Sequence, residues 1–482
     1  MIEYWCIVFI VLAIAKYSTS LLSSKLSLSS RSSTSLSFST SLSPSSRIDE
    51  QVVSIGAAIA AAKNYNEILL SSSLLILPGE EYLPHHHQHY HQLKQKQHSV
   101  NALNRIIKFV IGSNNHQYQQ RVLLNNDDRY YRIIQGAINS TTNIDINDFY
   151  ISCDALLAII TLTTTDSNNT NRIITDLLIL IDKLLLIMKT KFSDINPIYI
   201  DKLYWSISRL YKYHYNDNVN SNSNSNSIIK TYYDTINKQR HSLLLPFDVL
   251  HNVVNNITTY DNLYKEIQFQ SEDLKTREGR SVKERRMTCW MAEKGIEGLA
   301  YSGKIMRPVP FCSSVTAVRD AIEAKTGIYY DCCLINLYPD GDSACKFHSD
   351  PDMGTYWSRD TTIISFGDVR RFHFRKIDDG ENEQLHYTYR LYEGDVVYMF
   401  DSCQDDYQHA VMKGESENNN DGRISIVFKR AIPGPNGKKG HGLPKENQNS
   451  PKPKSPIVKR AILNPNPNKN NNKNNNKKNT KK

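Results

Sequence analysis

Two histidines and an aspartate have the residue types and the spacing of a metal site. His348 and Asp350 are separated by one residue, which puts both side chains on the same face of an extended strand. His409 follows sixty-one positions after His348, just behind the strand-like run 395–400, so we expect it to approach from a neighbouring strand. Two imidazoles and one carboxylate occupy one face of an iron ion and leave three coordination positions open. The trio therefore predicts an iron site, although such a spacing by itself is common by chance.

Two strand-like runs flank these residues in the sequence. Residues 336–338 precede the histidine and aspartate pair, and residues 423–429 follow His409. In the second run a period of two separates a face with Arg423, Ser425, Val427 and Lys429 from a face with Ile424, Ile426 and Phe428. A guanidinium held in an apolar strand favours a carboxylate partner, because its planar fork binds that group through two hydrogen bonds. An organic acid that also chelates iron would fit this position.

In this order and spacing, the residues form a string that resembles the AlkB-like iron(II)/2-oxoglutarate-dependent nucleic-acid demethylases over about residues 285–431. The order carries the resemblance, since each piece is common alone. The string comprises Arg286-Met287-Thr288, Tyr301-Ser302-Gly303, Asn336-Leu337-Tyr338, His348-Ser349-Asp350, Ser365-Phe366-Gly367 with Arg370, Phe372 and Arg375, then residues 404–411 and 423–429.

The resemblance implies an α+β chain whose catalytic domain is a double-stranded β-helix, a jelly-roll of two facing sheets with iron in its mouth. The cofactors implied are Fe(II) with 2-oxoglutarate and O2 as cosubstrates, and the products are formaldehyde, succinate, CO2 and a demethylated base. The metal residues would be His348, Asp350 and His409, and the cosubstrate residues Asn336, Tyr338, Arg423 and Lys429. Lys429 departs from the pattern, because many relatives have an arginine there and a lysine cannot fork.

The same resemblance implies a base clamp. A methylated ring nitrogen lies inside the base stack, so a duplex substrate must be flipped out and held between flat groups. Tyr301 aligns with one wall of that clamp and the ring of His348 would form the other, while Asp352 would face the cationic base and Arg286 is the third substrate candidate. The alternatives are that Tyr301 is a core residue and Asp352 a solvated turn residue. Leu299 and Pro351 differ from the family pattern, so substrate preference does not transfer.

The N-terminal fifty residues predict targeting. Residues 1–20 form a signal-peptide-like segment whose apolar run 7–15 is too short for a membrane span. Residues 21–50 are Ser-rich and transit-like or disordered. Together they predict import of the protein into a plastid or another organelle. The alternatives are a nuclear location and an ordinary disordered terminus. We expect no stable membrane association after processing.

The remaining segments divide by composition. Residues 51–275 predict an α-helical region with low-complexity inserts, from apolar residues at helical spacing in 52–62, 102–111, 150–162, 173–188 and 200–211. The dioxygenase domain is expected at 280–432 and a basic disordered tail at 433–482. Residues 438–482 hold thirteen Lys or Arg and one acid, a net charge of +12 in a chain of +9. Such a tail binds polyanions, or it serves only solubility.

These patterns predict an Fe(II)/2-oxoglutarate dioxygenase that oxidatively demethylates alkylated bases in DNA or RNA, so the expected partner is a nucleic acid. One alternative is the same chemistry on a protein or small-molecule substrate. Another is a catalytically silent adaptor that binds nucleic acid through the helical region and the tail. An intact metal trio beside an intact Asn/Tyr/Arg set disfavours silence, because packing alone does not require these polar groups together.

Overall fold

The structure is a computed structural model. It contains no described helix that is both long and apolar enough to cross a membrane. The predicted N-terminal segments 1–20 and 21–50 and the chain after residue 442 lie outside the described residues. The description covers residues 59, 62, 67–69, 85–111, 124, 127–138, 145–162, 170–214, 224–254, 256–275, 281–301, 304–379, 386–415 and 421–442.

The first half of the described chain is helical. The predicted runs at 150–162, 173–188 and 200–211 each lie inside a helix, and the run 102–111 does so except for its last residue, so the expected helical region is confirmed there. The run 52–62 lies mostly outside the described residues. The helices are α1 (His85–Val110), α2 (Asp128–Ile138), α3 (Ile146–Leu162), α4 (Thr170–Lys191), α5 (Pro197–His214) and α6 (Asn224–His241), with a 3-10 turn at Phe192–Asp194 after α4.

Antiparallel strands with three short helices make up the second half. The helices are α7 (Tyr260–Glu266), α8 (Ser313–Thr326) and α9 (Cys403–Asp406). The strands are β1 (Phe247–Leu250), β2 (Gln270–Lys275), β3 (Ser281–Ala292), β4 (Leu299–Tyr301), β5 (Lys304–Met306), β6 (Cys332–Tyr338), β7 (Cys345–His348), β8 (Trp357–Gly367), β9 (Arg370–Lys376), β10 (Tyr387–Leu391), β11 (Val396–Met399), β12 (Tyr407–Val411) and β13 (Arg423–Ala431).

The described strands form two main sheets and one small hairpin. The larger sheet has the order β1-β11-β8-β13-β6-β3-β2, the smaller has β10-β9-β12-β7, and β4 pairs with β5. Strand β13 alternates as predicted: Ile424, Ile426 and Phe428 pack in a core cluster with residues of α8, while Ser425 and Val427 face a cavity. The cavity lies between the sheets, because Phe372 and His409 of the smaller sheet line it as well. This arrangement confirms the predicted jelly-roll.

The helices and the smaller sheet share one hydrophobic core. Phe374 of β9 belongs to the same buried cluster as helix residues such as Trp205. A buried polar junction also joins them: Arg240 of α6 donates to Asp201 of α5 at 2.6 Å, and the hydroxyl of Tyr389 in β10 donates to the same carboxylate at 2.5 Å. The helical region thus packs against the smaller sheet and shares a hydrophobic core with it.

Both predicted domain boundaries differ from the structure. The expected helical segment 51–275 ends early, since β1 begins at Phe247 and pairs with β11 inside the larger sheet. The expected disordered tail 433–482 begins with ten described residues, 433–442, that pack against the domain. Both differences have one physical cause, because these short segments are ordered by contacts with residues that are distant in sequence.

Candidate active site

The predicted metal residues come together at the open end of the smaller sheet. Strands β7 and β12 are neighbours, and His409 lies directly opposite His348 in their register. One ligand atom from each of His348, Asp350 and His409 lies within 4.8 Å of the others. The Nε2 atoms of His348 and His409 lie 3.6 and 3.9 Å from Oδ1 of Asp350. One ion can therefore contact all three side chains, and this donor set fits iron.

The turn after β7 directs Asp350 into the site. The strand ends at His348, so the aspartate is held by side chains and not by a sheet. The amide of Asp350 donates to the side-chain oxygen of Gln404 in α9 at 2.8 Å, and the hydroxyl of Ser349 donates to the carbonyl of Tyr407 at 3.0 Å. Gln404 thus gains a positioning role that its place in the sequence string did not reveal.

Burial and charge set the protonation of the trio. Burial favours the neutral carboxyl of Asp350, but Lys429 and the two imidazoles outweigh it and hold its pKa well below the usual range. Burial lowers the pKa of His409 to about 3, so this ring stays neutral, the form that binds metal ions. Burial opposes charge on His348 as well, yet Asp350 and Cys345 raise its pKa. A metal ion therefore competes with a proton for His348.

At the inner end of the cavity, β13 and β6 present the predicted cosubstrate residues. Arg423 is opposite Tyr338 in register, Ser425 is opposite Asn336, and the Arg423 side chain is fully buried. Its Nη2 donates to the hydroxyl of Ser365 at 2.8 Å. Its Nε and Nη1 atoms and the Oδ1 atom of Asn336 have no hydrogen-bond partner among the described residues.

Buried polar atoms without partners are costly in a folded protein. A carboxylate has two oxygens that accept hydrogen bonds from such charged donors. The residues present therefore fit a dicarboxylate such as 2-oxoglutarate, with Arg423 as its charged partner.

Lys429 lies at the metal carboxylate. Its Nζ is 2.7 Å from Oδ2 of Asp350 and 3.4 Å from the hydroxyl of Thr361. The sequence expectation assigned this lysine to the cosubstrate. The contact observed in the described residues is instead with a metal ligand, which a single point charge can neutralise without a fork.

The cavity between the sheets has a volume of about 630 Å³, and the predicted substrate residues differ in their position relative to it. Arg286 lines it and forms an ion pair with Glu284. Leu299 and Pro351, the two departures from the family pattern, also line it. Tyr301 lies in β4 opposite Lys304, and its side chain is outside the described atoms. Asp352 adjoins Pro351 but is not among the described lining residues, and its carboxylate lies 3.0 Å from Nε2 of His441.

Comparison with known proteins agrees with this site. Residues 249–429 match the model of the 2OG-Fe(II) oxygenase superfamily. The chain is also 35% identical over 179 residues to the uncharacterized protein R406 of Acanthamoeba polyphaga mimivirus, which covers 37% of this chain and 90% of that protein. This chain belongs to the 2OG-Fe(II) oxygenase superfamily. Fe(II), 2-oxoglutarate and O2 are accordingly its cofactor and cosubstrates, as the sequence predicted.

Two further relatives place the oxygenase among AlkB-like members. It is 29% identical over 168 residues to the human alpha-ketoglutarate-dependent dioxygenase alkB homolog 3, covering 33% of this chain and 57% of the relative. It is 34% identical over 89 residues to the bovine DNA oxidative demethylase ALKBH2, covering 18% of this chain and 32% of the relative. The chain thus spans a little over half of the human relative and about a third of the bovine one, and its oxygenase region is similar to these AlkB-like dioxygenases.

Proposed function

We propose that this oxygenase oxidatively demethylates N-alkylated bases in DNA or RNA and releases formaldehyde, succinate and CO2. The proposal rests on two observations. The His348, Asp350 and His409 trio lines a cavity between the sheets. The buried Arg423, which has two donors without partners among the described residues, lies 5.1 Å from the ring of the lining residue Tyr338. The bovine relative is named a DNA oxidative demethylase, which supports a nucleic-acid substrate.

Different side chains would bind the metal, bind the cosubstrate and exclude water. Bound iron would supply the oxidising chemistry, and His348, Asp350 and His409 would hold it. Arg423 would bind a carboxylate of the cosubstrate through its Nε and Nη1 donors, which lack partners, and Asn336 would donate to it through the side-chain amide nitrogen. Leu299 and Trp357 are apolar lining residues that exclude water beside a bound base.

Charge at the cavity mouth supports a polyanionic substrate. Lys283, Arg285 and Lys346 line the cavity and are exposed, and the exposed lining acid Asp342 lies 3.5 Å from Arg285, so the three cations outnumber it. The segment 443–482 contributes eleven Lys or Arg against Glu446 alone, a net charge of +10. It follows residues 433–442 in the sequence, which hydrogen-bond to the segment that leads into β4. Phosphates of a nucleic acid would find positive charge on this side.

A second candidate is the same chemistry on a protein or small-molecule substrate. The basic mouth and the basic C-terminal segment favour a nucleic acid over both. A silent adaptor role is disfavoured, because a protein that binds no cosubstrate gains nothing from a buried arginine with free donors.

The test is formaldehyde release from oligonucleotides that contain N1-methyladenine or N3-methylcytosine, single- and double-stranded, with iron(II) and 2-oxoglutarate. Unmethylated oligonucleotides of the same sequence are the matched control, and succinate formation is followed in parallel. We expect formaldehyde from the methylated strands alone. Succinate formation without formaldehyde from any methylated base would contradict the proposal and direct attention to other substrates.

A further inference from the structure

Ten residues after the last strand cross the rim of the cavity. We name residues 433–442 the C-terminal strap. Its backbone pairs with the segment that leads into β4: the amide of Glu297 donates to the carbonyl of Lys439, and Gly298 and His441 exchange two hydrogen bonds, all at 2.8 Å. The strap thus pairs through isolated bridges with the segment just before β4, whose residues Leu299 and Ala300 line the cavity.

Two glycines show that the strap is specifically packed. Gly440 has a φ of +81°, and a Cβ there would lie 3.0 Å from the carbonyl oxygen of Gly298. A Cβ on Gly434 would lie 2.3 Å from the ring of Tyr356. A larger residue at either position would push the strap away from its neighbours.

His441 is the only described strap residue that reaches both sides of the cavity rim with its side chain. Its Nδ1 accepts from the amide of Ala300 at 3.2 Å, and its Nε2 lies 3.0 Å from Oδ2 of Asp352. Since an amide can only donate, Nδ1 carries no proton and the proton is on Nε2, which donates to the carboxylate. The ring also packs against Tyr356 at 4.3 Å and Trp357 at 5.8 Å between centroids.

These contacts join two walls of the outer end. Ala300 and Trp357 both line the cavity, and Asp352 directly follows the lining residue Pro351. Asp352 has a φ of +63°, a left-handed backbone conformation that is uncommon for a residue other than glycine. A side-chain partner fixes its carboxylate in that turn.

We propose that His441 is a positioning residue for the nucleic-acid substrate, which acts by holding the Asp352 carboxylate and the β4 strand in place at the outer end of the cavity. This inference rests on the proposed function. His441 contacts none of the three metal residues in the described structure, so its role is separate from iron and from 2-oxoglutarate.

Three substitutions of His441 test its two hydrogen bonds separately and together. His441→Gln keeps a donor toward Asp352 and loses the acceptor for Ala300, His441→Asn keeps the acceptor and loses the donor, and His441→Ala loses both. A hydrogen bond to a charged group contributes enough to change affinity roughly tenfold or more. We expect His441→Ala and His441→Asn to raise the KM for methylated oligonucleotide about tenfold, with His441→Gln restoring most of it. The half-saturating 2-oxoglutarate concentration and uncoupled succinate formation should stay at wild-type values.

The Asp352→Asn background tests whether His441 acts through this carboxylate. If it does, adding His441→Ala to Asp352→Asn should raise the KM little further, because the two changes remove one interaction. Pro435→Ala is the control within the strap, since this residue is exposed and uncharged and should leave the KM unchanged. Direct binding of methylated oligonucleotide by fluorescence anisotropy, without turnover, should follow the same order of variants.

The outcomes separate the two claims. Wild-type protein that releases no formaldehyde overturns the proposed function and this inference with it. Active wild type with an unchanged KM in His441→Ala overturns the inference alone. A parallel rise in the half-saturating 2-oxoglutarate concentration or a collapse of Tm in all three variants would also overturn it, because either result assigns His441 to general stability of the fold.

Discussion

The two ends of the cavity are built in different ways. The inner end, with the metal residues and Arg423, comes from strands that pair in register, β7 with β12 and β6 with β13. The outer end is joined by side-chain contacts across long stretches of chain, such as His441 to Ala300, 141 residues apart, and His441 to Asp352, 89 residues apart. Strand pairing fixes the reacting groups, whereas the outer wall depends on the strap and the turn it holds.

The polar groups at the two ends also differ in hydrogen bonding. Arg423 and Asn336 retain buried atoms without partners in the described structure, while the Asp352 carboxylate already has one in His441. The inner end therefore has polar atoms available for small ligands, whereas the carboxylate at the outer end is already held by a protein side chain. Changes at the inner end should impair the formation of succinate and formaldehyde together, through loss of the metal or through weaker 2-oxoglutarate binding. Changes at the outer end should affect only the binding and turnover of the nucleic acid.

The largest effect is expected from His409→Ala, because three ligands leave none to spare and removal of one opens the facial set. We expect formaldehyde and succinate formation both to disappear, with circular dichroism unchanged. His241→Ala, at an exposed helix end, is the matched control and should keep full activity. Retention of more than a few per cent of wild-type turnover in His409→Ala would show that the metal site lies elsewhere.

Arg423→Ala should raise the half-saturating 2-oxoglutarate concentration strongly. A buried carboxylate that loses its partner costs about 3–5 kcal/mol, roughly 150- to 5,000-fold. Arg423→Lys should recover part of this effect by charge without the fork. Lys429→Ala should have a smaller effect on 2-oxoglutarate, because its amine contacts Asp350. Titration calorimetry of 2-oxoglutarate under anaerobic conditions measures each case, and equal affinities in Arg423→Ala and wild type would remove Arg423 from the site.

Tyr301→Ala tests the outer end from the base side. Stacking of a base on an aromatic ring contributes about 1–3 kcal/mol, roughly 5- to 150-fold, and iron does not depend on it. Turnover of methylated oligonucleotides should fall within this range while uncoupled 2-oxoglutarate decarboxylation persists. Tyr264→Ala, a surface tyrosine on α7, is the control. Unchanged demethylation in Tyr301→Ala would make this residue part of the core.

The smallest effect on activity is expected from removal of residues 443–482. The truncation starts after Gly442, because an earlier cut would remove the strap. Each phosphate neutralised by Lys or Arg steepens the fall of log affinity with log salt by about 0.9 for duplex DNA. Binding to unmodified DNA and RNA at several salt concentrations should lose several units of slope, with little change in turnover of a short oligonucleotide at saturation. Coincident slopes with aggregation of the truncated protein would indicate a solubilising tail.

The sequence predicts local patterns well and contacts between distant segments poorly. Alternation with a period of two is enough to assign Arg423, Ser425 and Val427 to one face of β13, and this assignment was correct. The partner of Lys429 and the contacts of His441 depend on distant segments, which periodicity does not reveal. Residues 433–442 contain glycines and lysines that are typical of a tail, and only their packing on Gly298 and Tyr356 orders them.

The helical region offers a second example. Its helices were predictable from apolar spacing, but their union with the smaller sheet was not. That union depends on buried groups such as Asp201 and Tyr389, which lie 188 residues apart. A pattern within one segment holds no information about such a partner.

The central claim is that chemistry at the inner end and base recognition at the outer end are separable. The ratio of formaldehyde released to succinate formed on a methylated oligonucleotide tests it most directly. We predict a ratio near one in wild type and a ratio that falls in Tyr301→Ala and His441→Ala, while both variants keep the wild-type rate of uncoupled succinate formation. Variants in which formaldehyde and succinate decline together, with the ratio unchanged, would contradict the account.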